Sequence, residues 1–249
     1  MIYVDVGFLF RRRLYYFCND LSKVNKSGCS SLLIVNGLEE KEPSLHSKIV
    51  KTFITNLAEL EIESLLSSMN STTRNSVHFC EKNEVLFESY DGIIPAPIIK
   101  DFLKMLKGMY KEKGLKDKIV SPKRIKTFCK NDSLIITRTL DKKTSKAISY
   151  HVYITDKANA VLWFSCSLFR KKEDKSFVGK CNRYHHYKDF LLFLNNKYKS
   201  YDWGGVSSFE DPNGIDSFKY SFPGEKMTKY EIYYPLNFIG KMYLRVKKI

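Results

Sequence analysis

Acidic side chains are scarce in this sequence: 27 Asp and Glu stand against 42 Lys and Arg, a formal net charge of +15 over 249 residues. Such an excess draws a chain toward polyanions, whether RNA, DNA, anionic lipid, nucleotide-linked sugars or coenzyme A. Lysine spread along solvated helix faces accounts for it equally well. Cysteine is sparse and scattered: six thiols and no CxxC pair, which excludes a zinc ribbon or a thioredoxin-type motif. Reduced thiols suit the cytoplasm, and Cys166, inside an apolar run, reads as a small core residue. No run approaches the roughly 20 apolar residues of a membrane span. The opening MIYVDVGFLFRRRLYYF places its short apolar run before Arg11, Arg12 and Arg13, the reverse of an export signal, and reads as a strand. A cytoplasmic protein is expected, with peripheral attachment at the inner membrane face left open. There is no P-loop, no dinucleotide fingerprint, no GxSxG elbow, no fixed-period repeat and no low-complexity linker.

What is present suffices for a core. Hydrophobic residues make up 43% of the chain and aromatics 14%, which excludes a disordered polymer. The length fits one large domain, or a full domain with a smaller partial one. Residues 2–7 and 31–36 have the β-branched content of strands. Over 44–60, Leu45, Ile49, Val50, Phe53, Ile54, Leu57 and Leu60 recur at helical spacing. A further helix is expected across 62–79, broken at MNSTTRN, where Asn, Ser and Thr favour caps and turns.

From Val85 the pattern is regular. A strand at 85–89 precedes a helix from Pro95 and Pro97 to Lys113, closed by Gly114. Ser121-Pro122 opens a short helix. Strands follow at 133–140, 148–155 and 160–169, then the loop RKKEDKS, a helix over 182–196, a strand at 200–206, a short helix at 215–222, and closing strands at 229–234 and 241–246. This order predicts an α/β chain of the α+β type, with a mixed, mostly antiparallel sheet and helices on both its faces. Residues 1–80 are expected as a partial N-terminal unit packed on a main domain over 81–249.

Several local motifs stand out. Asn70-Ser-Thr-Thr-Arg74-Asn75 is followed by Cys80-Glu-Lys-Asn-Glu-Val85, with Val77 and Asn83 where an Ile and a Gly are usual in the pattern it resembles. Val178-Gly179-Lys180-Cys181-Asn182-Arg183-Tyr184-His185-His186 leads a helix. Tyr201-Asp202-Trp203-Gly204-Gly205 matches YDxGG. Gly214, Phe218-Lys219, Phe222 and Gly224-Glu225 follow at a matching separation. In this order, over roughly residues 60–235, the motifs resemble the FemAB branch of the GNAT acyltransferases, and the element order from residue 85 is that of the GNAT fold. Relatives of that branch usually carry two such units; here one is complete.

The resemblance implies acyl transfer to an amine. That reaction needs a held donor, an acceptor for the amine proton, and a charge on the developing oxyanion. GNAT folds seat the coenzyme A pyrophosphate on amides at the start of the helix after the fourth strand, where unpaired N–H groups collect. The equivalent segment here is Ser176, Gly179, Lys180 and Cys181, followed by Asn182 and Arg183; an ordinary glycine turn before a helix would look the same. Lys219, beside Phe218, matches the lysine thought to hold the reacting carbonyl in FemAB relatives; a surface lysine beside a core phenylalanine is the plainer alternative. Asp202 ends a strand where it either serves the acceptor amine or caps the loop. His186 is a candidate base, or half of a surface pair with His185. Adjacent histidines point to different helix faces and do not make a metal site, and none is expected. His151 alternates within a strand toward the same cleft.

The expected activity is transfer of an acyl group from acyl-coenzyme A, or of an aminoacyl group from charged tRNA, to an amine acceptor. The implied acceptor is an amino sugar or a cell-envelope glycan precursor. The competing expectation is a noncatalytic protein of the same fold that binds RNA or another polyanion through its basic surface, with 16 Tyr and 17 Phe available for stacking.

Overall fold

The computed structural model describes residues 1–7, 10–28, 31–114, 122–168 and 175–247. In chain order the elements are β1 (Ile2–Val6), β2 (Arg12–Tyr16), β3 (Leu32–Leu38), β4 (His46–Asn56), α1 (Leu65–Ser68), α2 (Ser71–Lys82), β5 (Leu86–Asp91), α3 (Ala96–Glu112), α4 (Pro122–Lys130), β6 (Leu134–Leu140), β7 (Ala147–Thr155), β8 (Asn159–Ser167), α5 (Lys175–Asn195), β9 (Ser200–Gly205), α6 (Gly214–Lys219), β10 (Glu225–Pro235) and α7 (Phe238–Lys247). They form two compact units. One is Met1–Phe53 with Gly205–Asp216 and Lys226–Ile249; the other is Ile54–Gly204 with Ser217–Glu225. The first division therefore falls at Phe53 and not at residue 80, and the C-terminal segment returns to the first unit.

In the first unit the strands run in the order β1-β2-β3-β10-β4. β1 and β2 are antiparallel, β2 and β3 parallel, β3 and β10 antiparallel. β2, which the reading of the opening as a single strand did not separate from β1, buries Arg13 and Tyr15 on alternate positions. Arg13 can be buried because Asp5, its cross-strand partner, accepts from Nε at 2.7 Å and from Nη2 at 3.0 Å.

Two expectations in this unit are overturned. The segment 44–60 is not a helix but β4 and a following 3-10 turn capped by Asn56. Its apolar spacing suits a helix, yet Ile49, Val50, Thr52, Ile54 and Thr55 are β-branched and fit the pleat better. The segment 241–246 is not a strand but part of α7. Asn237 caps that helix by accepting from Gly240 N at 3.0 Å. Gly240 and Leu244, one turn apart, face inward, with Leu244 packed among Leu32, Ile34 and Tyr233.

In the second unit the order is β9-β8-β7-β6-β5, with β9 parallel to β8 and the other pairs antiparallel. The expectation of a mixed, mostly antiparallel sheet with helices on both faces holds here. β7 is buried along its whole length, and its side chains alternate between two helical layers. Ser149 and His151 reach α5, at His185 and Asp189. Tyr150 reaches α3, donating to Asp101 at 2.7 Å. α5 lies between the sheet and α2: Val178, Cys181 and Tyr184 pack on Val77 and Cys80, while His185 and Asp189 turn toward the strands. The break expected near MNSTTRN is the gap between α1 and α2, where Asn70 caps α2 through Thr73 N at 2.8 Å.

β8 and β9 pair only from Asn159↔Ser200 to Val161↔Asp202, although β8 runs on to Ser167. Beyond Val161 no further β8–β9 pair forms among the described residues, and that edge of β8 has no partner strand there.

Two helical glycines separate close packing from mere permissiveness. A Cβ on Gly240 would run into the Ser31 carbonyl, which already accepts from Leu236 N at 2.9 Å. A Cβ on Gly179, within α5, would meet nothing within 4 Å. Gly240→Ala should therefore lower the unfolding free energy by about 1–3 kcal/mol. Gly179→Ala should raise it by about 0.5–1 kcal/mol. Urea denaturation midpoints of the two variants check both signs.

Candidate active site

α5 carries His185, His186 and Asp189, with His185 and Asp189 one helical turn apart on the face toward β6 and β7. Strand alternation brings Thr137 and Thr139 of β6, Ser149, His151 and Tyr153 of β7, and Tyr201 of β9 into the same buried layer. Asp189, at 0% exposure, is its centre. Its Oδ2 lies 2.6 Å from His151 Nδ1 and accepts from the Tyr153 hydroxyl at 2.6 Å. Tyr153 and Tyr201 hydroxyls are 2.8 Å apart, and Tyr201 OH is 2.8 Å from His186 Nδ1. His185 Nε2 lies 2.8 Å from Thr137 Oγ1, and its Nδ1 2.7 Å from Ser149 Oγ.

Proton bookkeeping gives this chain a direction. Tyr153 has one hydroxyl proton and places it on Asp189. Tyr201 must then donate to Tyr153, so the Tyr201 oxygen accepts from His186, whose Nδ1 carries the proton. The neutral His186 ring is thus held in the tautomer that leaves the lone pair on Nε2. Burial pushes His186 well below the usual histidine range, and the charges of His151, Lys219 and Arg183 push the same way. His185 is likewise pushed down, by burial and then by His151 and His186. Burial raises both tyrosines well above theirs.

Among the described residues, His151, His185 and Asp189 bring ligand atoms within 4.8 Å of one another. Metal coordination does not suit them. The rings of His151 and His185 stack at 3.7 Å and 8°, so an ion cannot lie in both ring planes, where the lone pairs are. The His185 nitrogens also face Thr137 and Ser149 at hydrogen-bond distance.

Beside the network stand the residues of the Gly204 turn. Gly204 has a positive φ of 73°, and a Cβ there would press on the Leu162 carbonyl at 3.0 Å. Asp202 Oδ1 accepts from Gly204 N at 2.8 Å, so the carboxylate caps the turn. Lys219, the last residue of α6, donates to the Gly204 carbonyl at 3.4 Å. The Arg183 guanidinium lies 5.0 Å from the centre of the Phe218 ring, and burial pushes its pKa down. His186 packs on Trp203 at 4.5 Å and on Phe218 at 5.5 Å.

Of the residues singled out from sequence, the fold gathers Arg183, His186, Asp202, Phe218 and Lys219. It separates others. α5 begins at Lys175 rather than near 182, so Ser176, Gly179, Lys180 and Cys181 are helical and not a loop. From Gly179 onward the amides bond within the helix; the residues preceding Lys175 lie outside the described residues. Cys181 Sγ lies 4.0 Å from Cys80 Sγ in the α2 contact, and Lys180 Nζ lies 4.0 Å from the Phe79 ring centre. Asn182 Oδ1 is 3.3 Å from His151 Nε2. Most of the RKKEDKS loop lies outside the described residues. Asp189, Tyr153 and the role of Tyr201 were missed. The available signal was the four-residue spacing of His185 and Asp189 opposite the alternating Ser149, His151 and Tyr153.

No protein-family profile matches the chain, and no curated sequence does. Solved structures do match. FemX superposes with a TM-score of 0.61 at 12% identity, over 80% of this chain and 64% of the FemX chain. The chain is similar in fold to FemX. The C-terminal domain of a lysylphosphatidylglycerol synthetase of Agrobacterium fabrum gives 0.59 at 11%, over 86% of this chain and 72% of that domain's. L-PGS of Bacillus licheniformis gives 0.58 at 11%, over 87% and 72%. The fold expected from the motifs is therefore shared with FemX. Identities this low speak for the fold alone, and the match spans less than two thirds of FemX.

The two depressed histidines set a pH dependence. Both bind protons more weakly folded than unfolded, so the stability present above about pH 6.5 is lost as pH falls through that value. The slope should be about 1.4 kcal/mol per pH unit for each ring, roughly 2.7 for the pair. Urea midpoints between pH 7.5 and about pH 5 should fall accordingly; a flat profile would mean that both rings charge in place.

Proposed function

We propose that this chain transfers an acyl or aminoacyl group to an amine, with Lys219 stabilising the oxyanion and His186 accepting the proton. The observation that carries the reading is the position of Lys219: its ammonium lies 3.4 Å from the Gly204 carbonyl, just past the last β8–β9 pair, Val161↔Asp202. A carbonyl group bound there would take up negative charge beside a cation already in place, which lowers the barrier most in a site shielded from water. The unpaired edge of β8 supports an extended donor by strand-like hydrogen bonding.

In the proposed step the amine nitrogen attacks the acyl carbon and forms a tetrahedral oxyanion beside Lys219. Its proton passes to the Nε2 of neutral His186, and collapse expels the thiolate of coenzyme A or the ribose oxygen of tRNA. That leaving group takes the proton back from His186. Burial keeps His186 uncharged and able to accept, while Tyr201 holds its tautomer. Asp202 is assigned to the turn rather than to proton transfer.

For coenzyme A, the pyrophosphate would use the first-turn amides of α5 around Ser176, with Arg183 adding charge nearer the reacting end. The similarity to a lysylphosphatidylglycerol synthetase supports the aminoacyl version as well. An amino sugar or cell-envelope glycan precursor remains the proposed acceptor class.

Lys219→Met should lower kcat and kcat/KM together by about 100- to 1,000-fold, with donor affinity and folding unchanged. Tyr201→Phe should lower kcat by at least about tenfold and alter the pH profile. Turnover assays with acyl-coenzyme A and aminoacyl-tRNA donors against amino-sugar acceptors, together with donor titrations, check both. A folded Lys219→Met protein that keeps full turnover overturns the assignment. The net charge of +15 favours a second reading, noncatalytic polyanion binding. Under it the same variant would weaken RNA affinity and reduce the salt slope by about one.

A further inference from the structure

α7 buries Gly240 and Leu244 on one side and leaves an apolar face on the other. Phe238 is 69% exposed, Ile239 53%, Met242 47% and Val246 76%. At 3.6 residues per turn these four side chains fall within an arc of about 100°. Exposed apolar residues are ordinary when single, as Ile93 is at the turn between β5 and α3. Four on one helical face, one of them aromatic, form a patch. Lys241 and Arg245, one turn apart and both exposed, border this arc, and Lys247 lies beyond its other edge. α7 contains no acidic residue. Among the described residues no helix is long and apolar enough to cross a membrane.

We infer that α7 is a docking helix that lays Phe238, Ile239, Met242 and Val246 into the interface of an anionic lipid bilayer, with Lys241 and Arg245 on the lipid headgroups. Charge complementarity selects this occupant. A purely apolar partner would leave the bordering cations without a role, whereas an anionic bilayer supplies both an apolar layer and negative charge. The chain's net charge of +15 adds long-range attraction of the same sign. Leu244 and Tyr243 anchor the helix against the unit through Leu32, Ile34 and Phe10, so the docking face is presented already folded. The inference stands independently of acyl transfer.

Flotation of the full chain with phosphatidylcholine vesicles, made with and without phosphatidylglycerol, tests it. The chain should bind the phosphatidylglycerol vesicles, leave the neutral ones, and be released by salt. Phe238→Ser with Ile239→Ser should weaken binding by more than about tenfold. Lys241→Gln with Arg245→Gln should cost roughly fivefold per charge and flatten the salt dependence. Circular dichroism and melting should remain as in the unaltered chain, because all four side chains are exposed. Two results would overturn the proposal. One is anionic-vesicle binding that the α7 variants leave unchanged, which would place it on the general basic surface. The other is a dimer in sedimentation that the Phe238 variant dissociates, without vesicle binding, which would make the face an interface between copies of this chain.

Discussion

The burial of Asp189 is the constraint on which the second unit's core depends. A carboxylate taken out of water costs several kcal/mol unless it is hydrogen-bonded. Here His151 and Tyr153 supply those bonds to Oδ2, while Oδ1 has no hydrogen bond among the described residues, and both partners stand on β7 two residues apart. A one-residue slip of β7 would carry them to the α3 face and leave Asp189 bare. The contact therefore fixes the register of the strand against α5. Through Tyr201 and His186 it reaches β9 and returns to the same helix.

The same network gives a chemical bias to a core that could otherwise have been apolar. Its protons run one way, toward Asp189, and leave His186 neutral with its lone pair on Nε2. Lys219 and Arg183 reinforce that state, since a second cation beside them would be repelled. A solvent-exposed histidine near neutral pH would divide its time between two charge states and two tautomers. Burial removes that ambiguity at the cost of acid sensitivity.

The end of β8–β9 pairing is the second determinant of the site, and it has a local cause. Gly204 takes a positive φ against the Leu162 carbonyl, and Asp202 holds the turn. The YDxGG residues thus end the pairing within a few residues of its start. The lysine at the end of α6 reaches the carbonyl of that turn, so the FK motif and the YDxGG motif, about fifteen residues apart in sequence, are parts of one feature.

The sequence by itself determined the order of elements from residue 85 through β10, the break before α2, and the motif residues at Gly204, Phe218 and Lys219. Those signals are local: alternation, helical spacing, caps and glycines act through neighbours in the chain. It did not determine β4 or α7, because Ile49–Leu57 and Lys241–Val246 each satisfy two periodicities, and neighbours they pack against decided between them. Nor did it show Asp189. A lone aspartate on a helix ordinarily faces water, and only the arrival of His151, Tyr153 and Tyr201 from distant strands made it the centre of a site. The helix start at Lys175 was misplaced for a related reason. Gly179 looks like a turn in sequence, but the burial of Val178 and Cys181 against α2 holds the chain helical through it. Tertiary structure decided these points because each rests on contacts between residues far apart in the chain.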